Sequence, residues 1–166
     1  MRFVVMMIVG LPSVSWAACE KEQKALEASK DAAVAAAYTA LVTCDVNKGR
    51  ESFPAAMKKT SDVASLGALA KAAIDAGLDP QVHTMLDAIT DYEGKEETAR
   101  FVGGMCTADP KVEAFVVGLH DALKDRAFVG WAGALRACPS EAVTAKLEEL
   151  SLSPPSREFD DKYGTV

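Results

Sequence analysis

The side chains here that could do chemistry are four cysteines, two histidines, the tryptophan at 131 and several carboxylate clusters, and each grouping can be held against the spacing its chemistry needs. Cys19, Cys44, Cys106 and Cys138 contain no Cys-x-x-Cys, and His83 and His120 stand far from any cysteine, so a zinc site is not supported. Asp45-Val-Asn47-Lys-Gly49 starts like a calcium loop. Its glycine comes one place early, however, and the twelfth position is Ala56 instead of a bidentate glutamate, so an interhelical turn is the expectation. His120-Asp121 could orient an imidazole, but no serine or cysteine nucleophile can be assigned to it, and it reads as a surface histidine on a helix. The acidic run Glu93-Gly-Lys-Glu-Glu97 reads as a solvated helix start, where negative charge favours the dipole. Trp131, with Phe128, Val129 and Leu135 around it, reads as core or inter-repeat packing. With no Gly-rich phosphate loop and no serine nucleophile elbow, the sequence assigns no catalytic residue, no metal ligand and no cofactor.

The elements that would position these residues begin with an address. Met1-Arg2, the apolar run Phe3 to Leu11 and Pro12 to Ala17, with small Ser15 and Ala17 at the minus-three and minus-one places, form a secretory signal peptide over 1–17. Its apolar run is about half of the roughly 20 residues that a bilayer span needs, so no transmembrane segment is expected after cleavage. Cys19 after Ala17-Ala18 would suit a lipoprotein, but Trp16 stands where an aliphatic residue is usual, and a free periplasmic or extracellular protein is the reading adopted. Removing Arg2 with the leader leaves 17 basic against 24 acidic residues, a net charge of −7. That acidity gives no footing for nucleic acid or for an anionic membrane surface. An even number of cysteines in an exported chain then argues for two disulfides.

Beyond the leader, apolar residues recur at three and four spacing almost throughout, and no strand alternation is visible, so the chain is expected to be all-α. Pro54, Pro80, Pro110 and Pro139 each follow a short polar break and open an apolar run, the place where a missing amide costs nothing. Cys44, Ala76 before Gly77, Cys106 and Cys138 close runs at spacings of 32, 30 and 32. The period near 31 predicts helix pairs at 51–59 and 62–76, 80–90 and 95–106, 110–124 and 127–138. Asp79-Pro80-Gln81-Val82 with Met85, Leu86 and Ile89 overlays on Asp109-Pro110-Lys111-Val112 with Phe115, Val116 and Leu119, and Ser140 to Leu150 fits more loosely. Ahead of these, 19–47 is either one helix or a hairpin broken near Ser29, which would cap the second helix.

Asp125-Arg-Ala-Phe-Val129-Gly-Trp-Ala132-Gly-Ala-Leu135, and more loosely Asp62-Val63-Ala64-Ser-Leu66-Gly-Ala68-Leu69-Ala70, are similar to the second helix of HEAT-like repeats in their short form of about thirty residues. The resemblance covers roughly residues 50 to 150; Gly130 and Ala64 replace the arginine that usually follows the valine. It implies an α-solenoid of stacked hairpins over 18–150, with an irregular helical bundle as the alternative. Residues 151–166 would then be a terminal cap helix or a tail. Small residues at Gly103, Gly104, Gly130, Gly133, Ala132 and Ala134 would let second helices approach closely.

Cys106 and Cys138 both end second helices of adjacent units, which places them at one edge of the array and pairs them. Cys19 and Cys44 pair by elimination. One straight helix would hold those two about 37 Å apart, far beyond disulfide reach, so the bridge requires the hairpin. The functional expectation is an exported, non-enzymatic module that binds a protein or peptide partner through helices 62–138, with Glu96, Asp121 and Lys124 on the solvent side. The alternative is a small-ligand protein or an enzyme with a pocket between helices.

Overall fold

The computed structural model describes residues 19–123 and 128–152. The leader, the segment 153–166 and Lys124 lie outside the described residues. Among those described there are nine α-helices, a 3-10 turn at Cys106–Ala108 and no strand, in keeping with the all-α expectation.

Helix α1 (Glu20–Ala28) stops at Ser29, whose hydroxyl donates to the Leu26 carbonyl at 2.8 Å. Ser29 therefore closes α1 and does not open α2 (Ala32–Cys44) as the sequence suggested. The chain reverses through Asp31 at a φ of 47°, a left-handed value that aspartate tolerates better than most residues. Asp31 is held there by the next turn of the molecule: its carboxylate accepts from the Ser61 amide at 3.0 Å and hydroxyl at 2.6 Å, and its own amide donates to the Lys59 carbonyl.

Aspartates start several of the following helices by accepting from their free first-turn amides. Asp45 takes the amides of Asn47 and Lys48, and so launches α3 (Val46–Met57) five residues before the expected position 51. Asp45 to Gly49 is thus a helix start and not a turn, and Pro54 lies inside α3 instead of opening it. The proline leaves the Arg50 carbonyl without its helical donor; the cap fixes the start all the same. Asp62 accepts from the Ser65 amide at 2.8 Å and opens α4 (Val63–Asp75). That helix ends as expected at Gly77, at φ 71°, with Leu78 donating back to Ala73 in the six-to-one bond of a Schellman motif.

Pro80 sits in the first turn of α5 (Asp79–Ala88). Asp91 caps α6 (Tyr92–Gly103) through the Gly94 amide, three residues before the expected 95, and α6 stops at Gly103, so Cys106 belongs to the 3-10 turn and not to the helix. Pro110 opens α7 (Pro110–Leu123); α8 spans Phe128–Ala137, and Ser140 caps α9 (Glu141–Leu152) by accepting from Val143.

The helices pack in succession on alternate members: α2 lies on α4, α4 on α6 and α6 on α8, while α3 lies on α5, α5 on α7 and α7 on α9. Between them sits one apolar core that includes Tyr38, Leu69, Leu78, Met85, Leu86, Leu119 and Leu135. The α6–α8 contact is the most extensive. A β-carbon on Gly103 would overlap the Ala134 carbonyl, and one on Gly133 would reach 3.1 Å from Glu96, so the two small residues set how closely these helices approach. Disulfides join Cys19 to Cys44 and Cys106 to Cys138, with α-carbons 5.9 and 5.6 Å apart. The first closes the α1–α2 hairpin; the second ties the turn after α6 to the end of α8.

Candidate functional site

Near its C-terminal end, α7 carries His120 and Asp121, and α8 and α9 supply what surrounds them. The His120 ring meets the ring of Trp131 edge to face, with centroids 4.9 Å apart and planes at 87°. Half-buried beneath this contact, the imidazole is more enclosed than the surface histidine expected from sequence. Its Nδ1 lies 3.0 Å from the Asp121 carboxylate. That carboxylate also accepts from Lys146 of α9, whose ammonium lies 3.2 Å from Asp121 and 3.2 Å from Glu149.

Charge and burial are uneven across the cluster. The Lys146 side chain is only 10% exposed, whereas Asp121 and Glu149 are 68% and 65% exposed. Burial by itself would lower the Lys146 pKa, but hydrogen bonds from Asp121 and Glu149 outweigh it and hold the ammonium above its ordinary value. Asp121 is correspondingly held below the usual carboxylate range, first by His120 and then by Lys146. Chemically, the arrangement orients an imidazole between a carboxylate and an indole, and neutralises an almost buried cation with two anions. Among the described residues neither the hydrogen bonds nor the ring contacts of His120 include a serine, threonine or cysteine that it could activate.

The chain matches no family model, no curated protein and no solved structure. Its site must therefore be read from its own geometry. Of the three residues expected on an interaction surface, Asp121 is exposed but engaged with His120 and Lys146. Glu96, on α6, stands 3.8 Å from Arg100 and lies along Gly133 of α8. Lys124 is outside the described residues. Glu96 and Asp121 thus stand on different helices and keep separate partners.

A second polar cluster, not found from sequence, laces α4 to the start of α7. The Lys71 ammonium donates to Asp75 at 2.8 Å and to Asp109 at 2.6 Å, and Lys111 reaches back to the Asp75 carbonyl. Asp109, which also accepts from the Lys111 amide, is pushed down to about 2, chiefly by Lys71. Lys71 is raised by the same two carboxylates, Asp109 first. Asp109-Pro110 was visible as a helix start; its partner 38 residues earlier carried no local signal.

Beside this clasp, a hollow of about 250 Å³ between α2 and α4 is lined by Thr39, Val42, Thr43, Val46, Ala72 and Asp75, with Ala76 at its edge. A larger one of about 450 Å³ lies along α9 from Pro139 to Glu148 and is walled by that helix and its own leading turn. Among the described residues no three histidine, cysteine or acidic side chains converge as a metal site, and no helix is long and apolar enough to cross a membrane.

Proposed function

We propose that this is an exported, disulfide-stapled α-solenoid of the HEAT-like kind, and that it acts as a non-enzymatic module for a protein or peptide partner. One observation carries the reading: each even-numbered helix packs on the next even-numbered one, and from α3 onward the odd-numbered helices do the same. Helices laid down in that order give successive units a shared core and a continuous outer surface. Two bridges at the ends of hairpins suit an oxidising compartment. The net charge of −7 after leader removal favours a basic or mixed partner. Phe101 and Val46, large and apolar yet exposed, add contact area on the surface of the array.

The competing reading, a ligand or substrate held between helices, has two hollows to draw on. The one between α2 and α4, at about 250 Å³, falls below the roughly 300 to 1,000 Å³ of ordinary ligand pockets; the one of about 450 Å³ is walled by α9 and its leading turn and not by facing helices.

Affinity capture with the mature protein from its own envelope or culture supernatant tests the proposal, followed by titration of the recovered partner. Glu96→Lys and Lys124→Glu should each weaken that binding several-fold while the helical circular dichroism stays unchanged. Asp121→Asn probes the third position without placing a cation against Lys146. Turnover of a substrate at an enzymatic rate would overturn the reading, as would recovery of a tightly held small molecule with no protein partner.

A further inference from the structure

The two disulfides sit in unlike surroundings. Cys106 and Cys138 are 3% and 2% exposed, and their bridge reinforces α6 and α8, which share the most extensive helix contact among the described residues. Cys19 is also buried, at 4%, but its partner Cys44, the last residue of α2, is the one exposed cysteine of the four. Thiol–disulfide exchange begins when a thiolate reaches a sulfur of the bridge. Of the two bridges, the first is the one that presents a side to solvent.

What that bridge holds is a lightly seated helix. α1 lies chiefly on α2, and of its nine residues only Leu26 is buried, in the last turn before the corner. The corner is fastened on its own account: Lys59 donates to the Glu27 carbonyl at 2.6 Å, and Asp31 is bound to Ser61 and to the Lys59 carbonyl. The far end of α1 depends on Cys19. There Glu20, Lys21 and Gln23 are exposed, and one carboxylate oxygen of Glu22 is buried with no hydrogen-bond partner among the described residues, which works against the seat. Helices this short are marginal in water on their own. Beneath α1, α2 carries no charged side chain from Ala32 to Cys44.

We propose that the Cys19–Cys44 bridge is a redox latch, opened by a dithiol reductant so that α1 swings from α2 about the corner at 29–31 while Cys106–Cys138 stays closed. A thiolate of the reductant attacks Sγ of Cys44, and Cys19 leaves as a thiolate and takes up a proton. The second thiol of the reductant then displaces Cys44, which is protonated in turn. Two electrons and two protons have passed to the protein, and the reductant is left as its own disulfide. Opening uncovers the charge-free side of α2. The latch lies at the α1–α2 end and not on the surface of 62–138, so it stands apart from the partner reading.

Limited treatment of the folded, mature protein with dithiothreitol, followed by alkylation and peptide mapping, tests the order of opening. Cys19 and Cys44 should be labelled at least about tenfold faster than Cys106 and Cys138. Hydrogen exchange on the selectively reduced protein should then show the amides of 20–28 at least about tenfold less protected, with α4 and α6 unchanged. The double variant Cys19→Ser/Cys44→Ser should show the same loss without reductant; if it does not fold, the selectively reduced wild-type protein carries the test. Equal or reversed labelling of the two bridges overturns the proposal, as does unchanged protection of 20–28 once the first bridge is open.

Discussion

Helices α4 and α9 are nearly equal in length, yet one is saturated with neighbours and the other is not. α4 is packed by α2, α6, α5 and α7, and buries Ser65, Gly67, Leu69, Ala70, Ala72, Ala73 and Ile74. α9 rests chiefly on α7 and buries Val143 and Lys146, so its most enclosed long side chain is a cation. A helix in the interior of the array can be Ala-rich and nearly charge-free because others cover it. α9, the last described helix, has fewer described neighbours and is anchored by polar contacts, Lys146 with Asp121 and Glu149.

Truncating one leucine in each helix should break or confirm this contrast. Leu69→Ala, at a fully buried site, is expected to cost about 2 to 5 kcal/mol in denaturant unfolding, and Leu147→Ala less than about 1 kcal/mol. Equal losses would mean that α9 is as embedded as α4. Next in size comes the second bridge. Replacing Cys106 and Cys138 together by serine should remove roughly 3 to 4 kcal/mol, as expected for opening a loop with a sequence separation of 32, read from the melting transition.

A glycine pair sharpens the comparison on a smaller scale. Gly103→Ala would drive a methyl into the Ala134 carbonyl and should cost about 1 to 3 kcal/mol, whereas Gly118→Ala in α7 meets open space and should stabilise by up to about 1 kcal/mol. Equal signs for the two would contradict the close α6–α8 approach.

Acid should separate the clasp on α4 from the rest. Asp109 is held at about 2 in the folded protein, against about 3.9 in an unfolded chain. Its contribution is complete above the unfolded value and is lost as the pH falls towards 2. Asp109→Asn should therefore flatten the stability profile between about pH 4 and 2 relative to wild type; an unchanged acid limb would show that Lys71 does not hold it. Tyr38→Phe is expected to have the smallest effect. The Tyr38 hydroxyl is fully buried with no hydrogen-bond partner among the described residues, and burial pushes its pKa far up. Removing it should be neutral or stabilising by about 1 kcal/mol, checked by urea titration.

Local signals were the legible ones. Asp62, Gly77, Pro80 and Pro110 fix helix ends through groups within a few residues, and α4, α5 and α7 fall close to their expected places. The period of the run ends pairs Cys106 with Cys138 and leaves Cys19 for Cys44 by elimination; both bridges are present, although Cys106 lies in the 3-10 turn after α6 and not at a helix end. Errors arose where two local signals competed. Asp45 and Asp91 are turn formers as well as caps, and Pro54 has the local setting of a helix start although the cap nine residues earlier already makes one. His120-Asp121 was visible as a pair, but Lys146 and Trp131 join it only because α9 and α8 pack on α7. Lys71 and Asp109 are hidden for the same reason: contact across 38 residues is a product of the fold and leaves no periodic trace.

The two bridges also fix how the molecule bears tension. A pull on its ends crosses from Cys19 to Cys44 and from Cys106 to Cys138 through sulfur, bypassing sequence separations of 25 and 32 residues, or about 85 and 110 Å of extended chain. α1 and α2, and likewise α7 and α8, hang off the load path as closed loops. Stretching would fall on α3 to α6 and on α9, so an oxidised molecule held between two attachment points would lengthen in its middle and at its end helix while both stapled segments stayed slack.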